Sequence, residues 1–167
     1  MTRIATCIAT MGGLGHVPKG PGTAGSLAAI PLAWLLHWAG GFWFFAAMTL
    51  AALAAGWWAT SAYVADRPAG ADPSEVIVDE LVGQWIALWP LSLGLTMAGA
   101  APHVFPWPGW IGACVLFRLF DIWKPGPVGW AERHHGATGI MADDLVAGAL
   151  AAVVVTAMAA AAHGWPA

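Results

Sequence analysis

Residues 20–65 read GPGTAGSLAAIPLAWLLHWAGGFWFFAAMTLAALAAGWWATSAYVA and contain no Lys, Arg, Asp or Glu. A bilayer-spanning helix needs about 20 mostly apolar residues, so this stretch is long enough for two. Gly40-Gly41 falls near its middle and reads as a tight turn. The segment therefore predicts one helix near 24–39 and a second near 42–64. Two further charge-free stretches follow, 81–117 and 145–167. Pro102, Pro106 and Pro108 break the first of them, which predicts helices near 78–99 and 109–122. The other predicts a last helix near 143–162.

The whole chain fits that reading. It has 167 residues, of which 59% are hydrophobic and 9% charged, against about 25% charged in an ordinary soluble domain. The expected fold is all-α. It is a polytopic membrane helix bundle with four to five hydrophobic helices, some short, forming a single domain over 1–167. The net charge of −3 leaves no basic stripe to track a phosphate backbone, so no nucleic-acid partner is expected. Cys7 and Cys114 are too few and too far apart in sequence for a zinc site or a disulfide framework. The first residues lack the charged start, apolar run and cleavage site of a signal peptide.

The six Lys and Arg and nine Asp and Glu cluster in three zones: Arg3 and Lys19, Asp66 to Glu80, and Arg118 to Asp144. Two predicted spans separate each zone from the next, so parity puts all three on one side. The positive-inside rule favours the cytoplasmic side. Trp38, Trp43, Trp107, Trp110 and Trp165 would then line the outer interface. Trp57, Trp58, Trp123 and Trp130 would line the inner one.

The converging zones carry residues suited to phosphate chemistry. Pro18-Lys19-Gly20-Pro21-Gly22-Thr23-Ala24-Gly25-Ser26 enters the first long helix. Thr23 can cap that helix, and a helix N-terminus beside Lys19 is an anion site. In the second zone Asp72 or Ser74 can cap the next helix. Glu75, Asp79 and Gly83 share a face at every fourth residue, and Gly83 leaves room for a bulky neighbour. In the third, Arg118, Asp121 and Lys124 recur every three residues before Pro125. The His134-His135 pair reads as a loop or phosphate contact, since adjacent histidines rarely chelate one metal. Asp143-Asp144 open the last helix, and Gly148 allows close packing one turn on. The acids Asp79, Glu80, Asp121, Asp143 and Asp144 are the candidate catalytic and metal-binding set, and hard carboxylate oxygens suit Mg²⁺. Lys19, Thr23, Ser26, Arg118 and Lys124 are the candidate phosphate-binding set. Together they suggest metal-assisted phosphoryl chemistry at a membrane surface.

Four blocks, in order, resemble the phosphatidylglycerophosphatase A family. They are Pro21 to Leu27, Asp79-Glu80-Leu81-Val82-Gly83-Gln84-Trp85, Phe117 to Pro125, and Gly139-Ile140-Met141-Ala142-Asp143-Asp144. The resemblance runs from about residue 12 to 150. It implies an all-helical, Mg²⁺-dependent inner-membrane enzyme. Such an enzyme takes phosphatidylglycerophosphate from the bilayer and releases phosphatidylglycerol and phosphate. A small membrane transporter and another lipid phosphotransferase are the alternatives. The transporter would want charge on both sides of the membrane, and the phosphotransferase pattern of spaced Asp residues is not found. Oligomeric state is not readable.

Overall fold

A computed structural model describes residues 2–68, 71–104 and 106–163. It is all-helical over those residues. The helices are α1 (Arg3–Ala9), α2 (Pro21–Val64), α3 (Val78–Met97), α4 (Trp107–Trp123), α5 (Pro127–Glu132) and α6 (Ala137–His163), with a 3₁₀ turn at Leu14–His16. Two of them, α2 and α6, are long and apolar enough to cross a membrane.

The 44 residues of α2 would extend about 66 Å as one straight helix, twice the ~30 Å of a hydrocarbon core. They do not. Gly40 and Gly41 leave helical geometry, and Gly41 has φ 64°, which favours glycine. The predicted turn therefore folds α2 into a hairpin, and α3 lies along both arms. On the first arm, Gly25 abuts Ile77, and His37 Nδ1 lies 2.8 Å from Ser92 Oγ. On the second, Phe42 N donates to Thr96 Oγ1 at 3.1 Å and Trp89 Nε1 donates to Thr49 Oγ1 at 3.2 Å. Gly56 then returns to Val78. The arms run in opposite directions beside one helix.

α4 runs back along α3, with Gly109 against Leu91 and Phe117 against Gly83. α6 runs with α3 and crosses it where two glycines meet. A side chain on Gly83 would strike the Asp144 carbonyl and the Phe117 ring, each at 2.6 Å, and one on Gly148 would strike the Gly83 carbonyl. What Gly83 makes room for is thus the α6 backbone and an aromatic ring. The main core lies among these helices, with Phe45, Leu88, Trp110, Phe117 and Ala147 fully buried. The starts of α2, α3 and α6 and the end of α4 all lie at one end of the assembly. α1 packs there too, where Ile77 N donates to Ala9 O at 2.9 Å.

Several local expectations are corrected. α6 begins at Ala137, so Asp143 and Asp144 sit inside the helix rather than opening it. Gly20 precedes α2 as its cap, with Pro21 in the first turn and no side-chain capping bond. Proline's fixed φ preorganises that turn, so Thr23 does not serve as the cap. Ile77 occupies the corresponding position before α3, again with no side-chain cap, so neither Asp72 nor Ser74 fills it. Glu75 leaves the Asp79 face: its Oε1 accepts from Tyr63 Oη and from Arg67, each at 3.0 Å. Trp110 is fully buried and belongs to the core, not to an interfacial belt. Trp165 lies outside the described residues. The short helices α1 and α5 were not expected. Pieces of seven and six residues hold too little periodicity to read and depend on tertiary packing. Cys7 and Cys114 are both free.

Candidate active site

The charged end is built from four elements. α3 contributes Asp79 and Glu80 from its first turn. α6 contributes Asp143 and Asp144, and α4 contributes Arg118 and Asp121 from its last turns. The start of α2 contributes Gly22 and Ser26.

Three of the five predicted acids meet directly. One carboxylate oxygen from each of Asp79, Glu80 and Asp144 lies within 4.8 Å of the others. Asp79 and Asp144 are 9% and 3% exposed. Crossing α3 and α6 at the two glycines sets this spacing, because it seats the Asp144 backbone directly on α3. At that separation two carboxylates repel by about 3 kcal/mol at an effective dielectric of 20. Such a group is stable when a cation sits among the oxygens. Glu80 Oε2 is also buried without a hydrogen-bond partner. An open oxygen among clustered carboxylates fits a hard divalent cation.

Asp121 stands beside this trio. It is an electrostatic neighbour of Glu80 and Asp144, and it pairs with Arg118 at 2.7 Å. Arg118 also reaches Ser26 Oγ at 3.5 Å. Both Glu80 and Arg118 close over Gly22, where a side chain would collide with the Glu80 carboxylate and lie 3.3 Å from Arg118 Nη1. The missing Cβ is what admits both charges at the α2 N-terminus.

Asp143 faces the other way. Its Oδ2 accepts from Lys124 Nζ at 3.0 Å, and Glu132 accepts from the same ammonium at 2.6 Å. Burial alone would lower the Lys124 pKa. The hydrogen bonds to Glu132 and Asp143 outweigh it and raise the ammonium above its usual range. Lys124 therefore remains charged at any physiological pH. It ends α4 in the left-handed region, with φ 50°, a conformation that costs a non-glycine residue about 1 kcal/mol or more. The two ion pairs hold it there. Asp143 also lines a cleft of about 210 Å³ together with Asp72, Glu132, His134 and His135. The histidine pair thus lies beside a predicted acid without joining the trio.

Two predicted phosphate-binding residues are not drawn into the cluster. Lys19 and Thr23 are exposed on the rim where α2 begins. Two partners escaped the sequence reading. Glu132 anchors Lys124, a contact across a turn that no spacing rule announces. Gln84 is fully buried one turn beyond Glu80; the available signal was an amide in an otherwise apolar helix.

A family model described as phosphatidylglycerophosphatase A matches residues 7–159. That range contains the carboxylate trio, the ion-paired Arg118 and Lys124, and the glycine crossing. The chain belongs to the phosphatidylglycerophosphatase A family. Membership marks it as a phosphatase. Phosphatidylglycerophosphatase A of Escherichia coli K12 is 33% identical over 156 residues, covering 92% of this chain and 81% of that protein. The Haemophilus influenzae protein of the same name is 33% identical over 147 residues, covering 87% and 83%. A Bacteroides thetaiotaomicron protein is 38% identical over 153 residues, covering 89% of each chain. Its name assigns it, provisionally, phosphatidylinositol-3-phosphatase activity. No solved structure matches the chain.

Proposed function

We propose that this protein removes the terminal phosphate of phosphatidylglycerophosphate, using a divalent cation, Mg²⁺ by preference, at the charged end of the bundle. The observation that carries the reading is the buried meeting of Asp79, Glu80 and Asp144 inside a chain matched by the family model over nearly its whole length. A divalent cation held by those three carboxylates would supply charge neutralisation at the phosphoryl oxygens. Arg118, oriented by Asp121 and Ser26, presents a fixed guanidinium to the same oxygens. Lys124 supplies a second permanent positive charge beside Asp143. The free N–H groups at the α2 N-terminus, with Lys19 and Thr23 on its rim, offer an entry point for the anion.

The bilayer is the natural location for this chemistry. Away from the charged end the surface is apolar, with Trp43 at 73% and Met97 at 78% exposure. On α4 the exposed residues Ile111, Val115, Leu119 and Ile122 form a stripe at helical spacing that ends beside Asp121. In a bilayer such surface faces lipid at no cost; in water it is an aggregation hazard. We read the two arms of α2 with α3, α4 and α6 as a multi-pass bundle in the bacterial inner membrane. Its charged end faces the cytoplasm. The substrate's acyl chains then remain in the bilayer while its phosphomonoester reaches the acids.

The test is phosphate release from phosphatidylglycerophosphate in detergent micelles, with Mg²⁺ and with a chelator. Phosphatidylinositol 3-phosphate serves as the competing substrate. We expect chelator-sensitive release that is faster from the glycerol lipid. Well-folded protein inert on that lipid would overturn the reading; faster release from the inositol lipid would reassign the substrate. Orientation is tested separately by single cysteines in a Cys7→Ser, Cys114→Ala background. A cysteine replacing Arg67 should react with an impermeant maleimide only after the membrane is opened, and one replacing His103 should react in intact cells. The reverse pattern would invert the topology.

A further inference from the structure

Gln84 is a polar motif residue that the proposed chemistry does not use. It is fully buried, yet neither its Nε2 nor its Oε1 has a hydrogen-bond partner. It stands four residues past Glu80, so the two side chains are neighbours on one face of α3. Glu80 Oε2 is likewise buried and open, and so is Arg118 Nε. Glu80 and Arg118 meet over Gly22. Open atoms of Gln84 and Glu80 thus lie one helical turn apart on the same face of α3. Buried amides are normally satisfied, because leaving one unpaired costs stability.

The chemistry of the open atoms defines what would fill them. A phosphate offers only acceptors, and a metal ion uses only oxygen lone pairs. An amide one helical turn from an open carboxylate oxygen is matched by a group that both donates and accepts, an O–H. We propose that Gln84, with Glu80, forms a subsite for an O–H group, which positions the headgroup of the lipid. This rests on the phosphatase reading above. The headgroup glycerol of phosphatidylglycerophosphate carries one free hydroxyl, on the lipid side of the terminal phosphate. Gln84 lies four residues, about 6 Å, deeper along α3 than Glu80, in that same direction. A water lodged between the same atoms is the other source of an O–H.

Four kinetic measurements separate these. Wild type and Gln84→Leu are each assayed on phosphatidylglycerophosphate and on its deoxy analogue, whose headgroup glycerol lacks the hydroxyl. For the substrate hydroxyl, Gln84→Leu lowers kcat/KM on the natural lipid by roughly 10-fold or more and leaves the deoxy lipid nearly unchanged. The substrate-free variant then also unfolds at a higher temperature, since an unpaired amide has been replaced by an apolar side chain. For a lodged water, both lipids lose equally and the unfolding temperature falls. Should Gln84→Leu not accumulate, Gln84→Met keeps an unbranched side chain of similar length for the same cycle. An active wild type whose Gln84 variants match it on both lipids overturns the inference alone. A wild type inert on both overturns the phosphatase reading and this inference with it.

Discussion

Asp144→Asn should lower phosphate release by at least about 100-fold, the scale expected when a carboxylate of the proposed metal site is neutralised. The same substitution has an opposite effect on the metal-free protein. Asp144 is 3% exposed and shares its surroundings with Asp79 and Glu80, so replacing its carboxyl by an amide relieves the crowding of like acids in the metal-free protein. The variant should unfold at a higher temperature than wild type in chelator. Added Mg²⁺ should raise the wild-type midpoint, since a ligand that binds only the folded state stabilises it, and leave the variant where it is. Scanning calorimetry in detergent with and without Mg²⁺ checks this without any turnover assay. An Asp144→Asn protein that gains as much from Mg²⁺ as wild type would remove Asp144 from the metal site. Asp121→Asn is the comparison. Asp121 holds Arg118 and also lies within hydrogen-bonding reach of Asp144, so its loss should raise KM for the lipid and weaken the Mg²⁺-dependent midpoint shift less than Asp144→Asn does.

The sequence made the ends of the bundle legible and left its centre obscure. Charge clustering alone separated Asp66 to Glu80 and Arg118 to Asp144 from the apolar runs, and Gly40-Gly41 marked the α2 turn because only a glycine readily takes the backbone of Gly41. Those are one-dimensional signals. Which acids meet is a matter of how α6 crosses α3, and nothing in the spacing of Asp143 and Asp144 says which of the two turns toward Glu80. The start of α6 was misplaced for a related reason. Charge suggested a boundary at Asp143, but tertiary packing carries the helix back to Ala137 and draws both acids inside it. The caps failed because Thr23, Asp72 and Ser74 satisfy a preference that the backbone here meets without a side chain. The spacing to Asp121 marks Lys124 as a candidate phosphate ligand and says nothing of its ion pairs. Its pairing with Glu132 depends on the turn after α4, which reverses the chain and has no periodic signature.

Gly148→Val should prevent the bundle from forming. A Cβ at this position falls on the Gly83 carbonyl, with the Gly83 carbon and Cα each 3.0 Å away. The obstacle is backbone, so no rotamer change relieves it; α6 must move off α3. That displacement separates Asp144 from Asp79 and Glu80 and pulls Ala147 and Ala151 out of the core. Overpacking against a mobile side chain costs about 1–3 kcal/mol, and a rigid backbone contact belongs above that range, against a total stability of about 5–15 kcal/mol for a typical domain. The protein should therefore fail to accumulate, or be recovered without activity and with a much lower midpoint. Gly112→Ala supplies the contrast. Gly112 lies within α4 and a side chain there meets nothing within 4 Å, so alanine should stabilise the helix by about 0.5–1 kcal/mol. Two substitutions that each remove one helical glycine thus move stability in opposite directions. Helix propensity separates valine from alanine by less than about 1 kcal/mol, so a collapse in Gly148→Val reports the crossing of α3 and α6, and wild-type stability in that variant would show that the two helices do not meet there.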